Sequence, residues 1–203
     1  MLKANALLRN EPVQARSTAR LTALLDAAAS SIDTHGYERL TTAMVAEKAG
    51  ASIGTVYRYF PDRIAVLKAV GLRAIDRFTE NAKTALSRTS TDDGKAGFDA
   101  LLDEYEKSFR SEPAFAAMRF GDVLDLRPRE DNATGLATVI ESFADTFSAR
   151  FSVPRSGLVE KLEMALTIAD ALYARAFRFN AKGDSAIIAQ AREAAHRSIG
   201  AAL

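Results

Sequence analysis

Residues 41–60 read TTAMVAEKAGASIGTVYRYF, and this stretch decides the fold. It falls into two short helical patterns, 41–48 and 52–59, on either side of one glycine. Two helices that meet near a right angle across a tight turn need a cap at each start, small residues where they approach, and a backbone free to turn. Thr41 offers a hydroxyl to cap the first helix and Ser52 one to cap the second. Val45 and Ala49 are expected in the core, with Ala46 small at the close approach. Val56 and Tyr59 return to pack against the first helix. Gly50 falls where the turn needs positive φ, which costs a residue without Cβ nothing. The spacing predicts a helix-turn-helix whose second helix is presented outward, its N-terminal end free to enter a major groove.

Upstream, Leu21, Leu24, Leu25, Ala28 and Ile32 recur at helical spacing and Gly36 supplies a left-handed stop, which predicts a helix over 17–35. Downstream, a longer pattern runs over 62–86, with Pro61 at its start, where a missing N–H is tolerated. The polar stretch TSTDDGKAG at 89–97 breaks the chain. Further helices are expected near 97–110, 113–126, 130–151, 156–180 and 184–201, separated by Glu112-Pro113, Arg127-Pro128, Val153-Pro154 through Gly157, and Gly183. No stretch alternates with period two, so the fold class is all-α.

With 203 residues, 48% of them hydrophobic, the chain can bury a proper core. It has no cysteine, which removes disulfides, thiolate nucleophiles and cysteine metal sites together, and its two histidines, His35 and His196, make a histidine metal cluster an unsuitable reading. No apolar run approaches the roughly 20 residues of a membrane span. Residues 1–16, MLKANALLRNEPVQAR, lack a secretory hydrophobic region and are expected to be a flexible basic arm. Net charge is +1, but residues 1–88 carry 13 Lys+Arg against 8 Asp+Glu, and the remainder 14 against 18. A basic front and an acidic back suit a nucleic-acid module joined to something else.

The run GYERLTTAMVAEKAGASIGTVYRYFPDR, with Asp26-Ala27-Ala28 in the first helix, the Gly36-Tyr37 turn and the closing Tyr57-x-Tyr59-Phe60, resembles the N-terminal signature of the TetR family of repressors over about 21–67. The resemblance implies an N-terminal three-helix DNA-binding domain at 17–62. A long helix would join it to a C-terminal helical domain for ligand binding and dimerisation at 63–203. It also implies roles. Thr42 matches a phosphate-contacting position, and its hydroxyl suits that task. Ser52, Ile53, Gly54 and Thr55 occupy the start of the recognition helix, where Thr55 can hydrogen-bond a base or phosphate and Ile53 can pack on a thymine methyl. Tyr57 and Tyr59 match aromatic positions whose hydroxyls reach phosphates, and Arg63 matches a residue that clamps the backbone. Arg58 faces backbone or solvent, and Arg16 and Arg20 add contacts from the arm. Ala43 departs from the pattern: some members carry an arginine there that reads guanine, a contact worth about 1–3 kcal/mol of discrimination. Specificity would then shift to the recognition helix, the arm or DNA shape. Ala51 also stands where a larger aliphatic is common.

In the second half, Phe98, Leu101, Leu102, Tyr105 and Phe109 make one apolar stripe, and Leu136, Val139, Ile140, Phe143 and Phe147 another. Core packing accounts for most of them. The resemblance adds a small-molecule cavity between these helices, with Phe98, Leu102, Tyr105, Phe109, Phe143, Phe147, Asp170 and Tyr173 as candidate lining. Asp170 lies on the stripe Leu166, Tyr173, Phe177, with Glu163 one turn earlier. A carboxylate there must be paired or hydrogen-bonded, either to a cationic ligand or to an arginine such as Arg119 or Arg175. Leu158, Leu162, Ala165, Ala169, Leu172 and Ala176, with Ile187, Ala191, Ala194 and Ala195 on the last helix, form a seam expected to make a homodimer through helices near 156–180 and 184–201.

The expected function is a dimeric regulator, a repressor, that binds double-stranded DNA at a near-palindromic operator and is released by a small-molecule effector. The alternative is a helix-turn-helix protein answering to a protein partner or to no ligand. An enzyme is not expected: there is no HExxH, no glycine-rich phosphate loop and no convergent carboxylate pair. No cofactor or metal is expected, no membrane partner either, and the location is cytoplasmic.

Overall fold

The structure, a computed structural model, describes residues 15–90, 93–112, 115 and 135–203. Among the described residues it is all-helical: α1 (Ala15–His35), a 3-10 turn (Tyr37–Arg39), α2 (Thr42–Lys48), α3 (Ile53–Tyr59), α4 (Arg63–Arg88), α5 (Gly94–Ser111), α6 (Gly135–Phe151), α7 (Leu158–Phe177), α8 (Ser185–Ile199) and a final 3-10 turn (Gly200–Ala202). Residues 1–14 of the expected arm, the helix expected at 113–126 apart from Phe115, and the expected start of α6 at 130–134 lie outside the described residues.

The chain divides into two compact units, residues 1–76 with 113–118 and residues 77–112 with 119–203. In the first unit Gly36, at φ 80°, ends α1, its N–H closing on the Ile32 carbonyl at 2.8 Å. The core is Leu24, Ala28, Ile32, Leu40, Val45, Val56, Phe60, Val66, Leu67 and Val70, all buried. Asp26 of α1 and Arg73 of α4 pair at 2.7 Å. The start of α4 is capped by Asp62, whose Oδ1 accepts from the Ala65 N–H at 2.8 Å. Pro61 therefore stands just before the cap and not in the first helical turn, because an aspartate acceptor is better suited to the free N–H groups there.

The second unit is built from the end of α4 with α5, α6, α7 and α8. Phe78, Ala82 and Leu86 bring α4 into a core of Leu101, Leu102, Phe143, Phe147, Leu162 and Leu166. Asp93 caps α5 through the Ala96 N–H at 2.9 Å, which starts that helix three residues ahead of the expected 97. Arg150 of α6 donates to the carbonyls of Ser87 and Thr89, both at 2.6 Å, and so satisfies the end of α4 with a cation where the helix dipole favours one.

α7 and α8 form a helical hairpin closed by Gly183 at φ 76°, with Asp184 capping α8. A Cβ at Gly183 would come within 2.7 Å of Ile188 and 2.8 Å of Phe177, so the turn needs a glycine twice over. The expected dimer seam is corrected here. Leu158, Leu162, Ala165, Ala169 and Ala176 of α7, and Ala191 and Ala195 of α8, are buried inside this one chain. Helical periodicity identifies an apolar face but not what covers it, and here the chain's own helices do. The face of α7 left open carries Met164, Ala171 and Arg175.

Candidate nucleic-acid interface

The two short helices are held as their caps and turn dictate. Thr41 Oγ1 accepts from the Met44 N–H at 3.1 Å and Ser52 Oγ from the Thr55 N–H at 3.2 Å. Gly50 adopts φ 56°, its N–H donates to the Glu47 carbonyl at 3.1 Å, and the Ala51 N–H reaches the Ala46 carbonyl at 2.9 Å. Val45 and Val56 are fully buried where α2 and α3 meet, and Ala46 is buried beside them. Ala49 is only half-buried.

This packing turns one side of α3 outward. Ser52, Gly54 and Arg58 are exposed, and Ile53 and Tyr57, large and partly apolar, are 43% and 44% accessible. Thr55 is half-buried with its hydroxyl 2.9 Å from Ser52 Oγ. Thr42, half-buried at the start of α2, donates to the Tyr57 hydroxyl at 3.3 Å. That bond joins a side chain of each helix and leaves the Tyr57 proton to be donated elsewhere. Arg20 of α1 and Ala43 of α2 are exposed; the side chain of Arg16 lies outside the described residues.

Two residues assigned to phosphate contact sit differently. Tyr59 is 4% accessible, and its hydroxyl lies 3.0 Å from Ser17 Oγ and donates to the Ser17 carbonyl at 3.3 Å. It faces inward because it follows Val56 by three residues on the buried side of α3. Arg63 is half-buried and donates from Nη2 to the carbonyls of Tyr37 at 2.6 Å and Glu38 at 2.9 Å. It thereby satisfies the carbonyls of the 3-10 turn, a turn the sequence reading did not contain. With that nitrogen engaged and Nε buried without a partner, Arg63 ties the turn to α4.

The second set of candidates is buried throughout: Phe98, Leu102, Tyr105, Phe109, Phe143, Phe147, Asp170 and Tyr173. The structure does not gather all eight. Tyr105, Phe109 and Tyr173 form one aromatic group with ring centroids 5.5–5.9 Å apart, joined to Phe143 through Phe78 at 5.1 and 5.8 Å. Phe98 instead meets His196 edge-on at 5.1 Å, and Phe147 packs on Phe151 at 5.2 Å. The Tyr105 hydroxyl donates to Asp170 Oδ1 at 2.7 Å. Arg175 is exposed and Glu163 faces solvent, so neither joins Asp170 in the core, while Arg119 lies outside the described residues.

Tyr173 is fully buried and its hydroxyl has no hydrogen-bond partner; burial pushes its pKa up to about 12 against the opposing pull of the Arg192 charge, so it stays a neutral phenol. Stripe reading missed Phe78 and Phe177, the latter stacked on Phe109 at 5.6 Å with the Arg110 guanidinium 5.2 Å from its ring. It missed also a polar tie at the protein surface. Arg192 of α8 bridges Asp99 at 2.7 Å and Asp103 at 2.5 Å, and His196 lies 2.9 Å from Asp99. The i, i+4 spacing of both pairs was the available signal.

Among the described residues no group of three or more His, Cys, Asp or Glu side chains is placed to hold a metal, and no helix is long and apolar enough to cross a membrane. Comparison with known proteins matches residues 24–70 to the family model for bacterial regulatory proteins of the tetR family, and residues 93–202 to a tetracyclin repressor-like C-terminal domain. A TetR-family transcriptional regulator from Streptomyces coelicolor superposes with a TM-score of 0.72 at 30% identity, over 91% of this chain and 99% of that one. The fatty acid degradation regulator FadR of Bacillus halodurans shares the fold, with a TM-score of 0.62 at 18% identity over 89% of this chain and 98% of that one. The HTH-type transcriptional repressor KstR of Rhodococcus jostii (strain RHA1) is 34% identical over 65 residues, 32% of this chain and 31% of its own length, so this chain matches about a third of that relative. With a helix-turn-helix built and exposed as described, and with both parts of the chain matched, the chain belongs to the TetR family of DNA-binding transcriptional regulators.

Proposed function

We propose that this regulator is a repressor that binds a near-palindromic operator as a dimer and is released by a small molecule taken up in the second unit. The observation that carries the DNA half is the outward face of α3. Ile53 and Tyr57 are held exposed while Val56 and Tyr59 of the same helix are buried. A Cβ at Gly54 would meet nothing of this chain closer than Ser52 Oγ at 3.8 Å. The fold itself does not require a glycine there, and the bare position suits close approach of a DNA backbone. Thr42 and Tyr57 donate to phosphate, Ser52 and Thr55 to phosphate or base, Ile53 packs on a thymine methyl, and Arg58 adds charge. A two-fold dimer sets its recognition helices about 34 Å apart, one turn of DNA, or a small multiple of that.

α4 supplies the link. Its first part is fixed within the first unit by Asp26–Arg73 and by Arg63, and its last turn within the second unit by Arg150. A ligand that favours a different packing of the aromatic group around Tyr105 and Tyr173 would displace the end of α4, and release follows only if it binds the released state more tightly. One observation favours a second reading, a regulator without an effector: the candidate lining residues are packed on one another and closed to solvent.

Gel-shift titration of the chain on its own upstream DNA over a series of salt concentrations tests the DNA half. Tyr57→Phe together with Ser52→Ala and Thr55→Ala should weaken binding and flatten its salt dependence. Unchanged affinity and slope overturn the assignment. Isothermal titration of candidate effectors into the free protein and into its operator complex tests the release.

A further inference from the structure

We infer that a second copy of this chain covers the open face of α7 in one antiparallel register, with the two-fold axis at Ala171 and Leu172 and Met164 of each copy packed on the partner's Phe179. This rests on the dimer reading above and specifies its geometry.

Five large apolar or aromatic residues are exposed. Tyr37, Ile53 and Tyr57 belong to the first unit. The other two, Met164 at 57% and Phe179 at 88%, lie near opposite ends of α7. They are 15 residues apart, about 22 Å along a helix, and within about 60° of each other around it. Between them the same face carries Ile168 and Leu172, both half-buried, and Ala171, exposed. Phe179 is not there by looseness of the chain. The turn that holds it is fixed by the Asp184 N–H on the Ala176 carbonyl at 3.0 Å, by the Gly183 N–H on the Asn180 carbonyl at 2.8 Å, and by Arg110 donating to the Lys182 carbonyl. The Arg178 guanidinium lies 5.3 Å from the Phe179 ring.

A two-fold axis exchanges equivalent positions, so the two ends of an antiparallel helix pair face each other and the midpoint faces itself. The midpoint between residues 164 and 179 falls between Ala171 and Leu172, where a small side chain lets the helices approach. That register lays a thioether against an aromatic ring twice, a favourable pair. Charge selects the same direction. The N-terminal part of the face carries Glu160 and Glu163 against Lys161, whereas the C-terminal end carries Arg175, Arg178 and Lys182, all exposed. Among the described residues none of these six forms an ion pair within its own chain. Antiparallel packing sets the acidic end over the basic end, and parallel packing would set like on like.

The chain has no cysteine, so introduced thiols report alone. Four variants at these exposed positions, Met164→Cys, Phe179→Cys, the double variant, and Ala171→Cys, are checked for unchanged helicity and then oxidised. They are resolved on non-reducing gels beside sedimentation of the unmodified protein. The register predicts a covalent dimer from Ala171→Cys alone and from the double variant, and none from Met164→Cys or Phe179→Cys alone, since a disulfide needs Cα atoms within about 7 Å. A protein that sediments as a dimer while the double variant stays uncrosslinked, or while either end variant cross-links to itself, overturns the register and leaves the dimer standing. A protein that sediments as a monomer overturns both.

Discussion

The hydroxyls of Tyr59 and Ser17 lie 3.0 Å apart and fasten the start of α1 to the recognition helix from inside the fold. Tyr57, two residues earlier, has its hydroxyl bonded to Thr42 at the surface. The two tyrosines of one short motif therefore serve opposite links of the chain from packing to function. Tyr59→Phe should lower stability by about 1 kcal/mol, the net worth of an intramolecular hydrogen bond, and leave affinity for DNA, measured on the folded protein, nearly unchanged. Tyr57→Phe should do the reverse. Thermal melts and gel shifts on both variants check this, and equal effects of the two on binding would count against it.

Gly50 sits at φ 56°, and a Cβ added there would meet no atom within 4 Å. The cost of Gly50→Ala is therefore conformational and not steric, about 1–2 kcal/mol for an L-residue in the left-handed region. Gly50→Asn should lose less, since asparagine tolerates that region. Denaturant unfolding of the two variants should rank them in that order with unchanged m-values.

Tyr105 donates to Asp170 at 2.7 Å inside the aromatic group. Removing that donor leaves a buried carboxylate with one fewer hydrogen bond, at about 1–3 kcal/mol. Tyr105→Phe should thus destabilise far more than loss of one oxygen atom at a surface would. Tyr173→Phe should cost little or stabilise, because the Tyr173 hydroxyl is buried without a partner. Melting temperatures of the two variants decide the point: an equal drop for both would mean that the Tyr173 hydroxyl is satisfied.

How far the sequence could be read follows from which features are local. Caps and turns are local, and Thr41, Gly50 and Ser52 do what their spacing predicted. The helices were legible within a few residues because their breakers, Gly36, Gly157 and Gly183, act where they stand. What covers a face is not local. The seam of Leu158, Leu162 and Ala165 has the same periodicity whether it meets a partner or the chain's own core. Likewise Tyr57 and Tyr59 are alike in type, and only the position of Val56 on the buried side of α3 separates them. Arg63 turned inward because of carbonyls in a 3-10 turn that no periodicity announces.

Asp99 lies partly buried beside Arg192 and His196. Burial would raise its pKa, but the hydrogen bonds from His196 and Arg192 and their charges outweigh it and hold the carboxyl below its ordinary value. A depressed carboxylate pKa stabilises the folded state above the unfolded value, about pH 4, and the gain is lost as pH falls through the folded value. Asp99→Asn should therefore weaken the tie between α5 and α8 near neutral pH and make progressively less difference as the solution is acidified below about pH 4. The Asp99 side chain is 47% exposed, so solvent screening keeps the effect below about 1 kcal/mol. Arg192→Ala should cost more, since Arg192 also pairs with Asp103 at 2.5 Å. Urea unfolding of the unmodified protein and Asp99→Asn at about pH 7 and about pH 3 reads the difference directly. A gap in stability that is the same at both values would show that the carboxylate charge is not what joins the two helices.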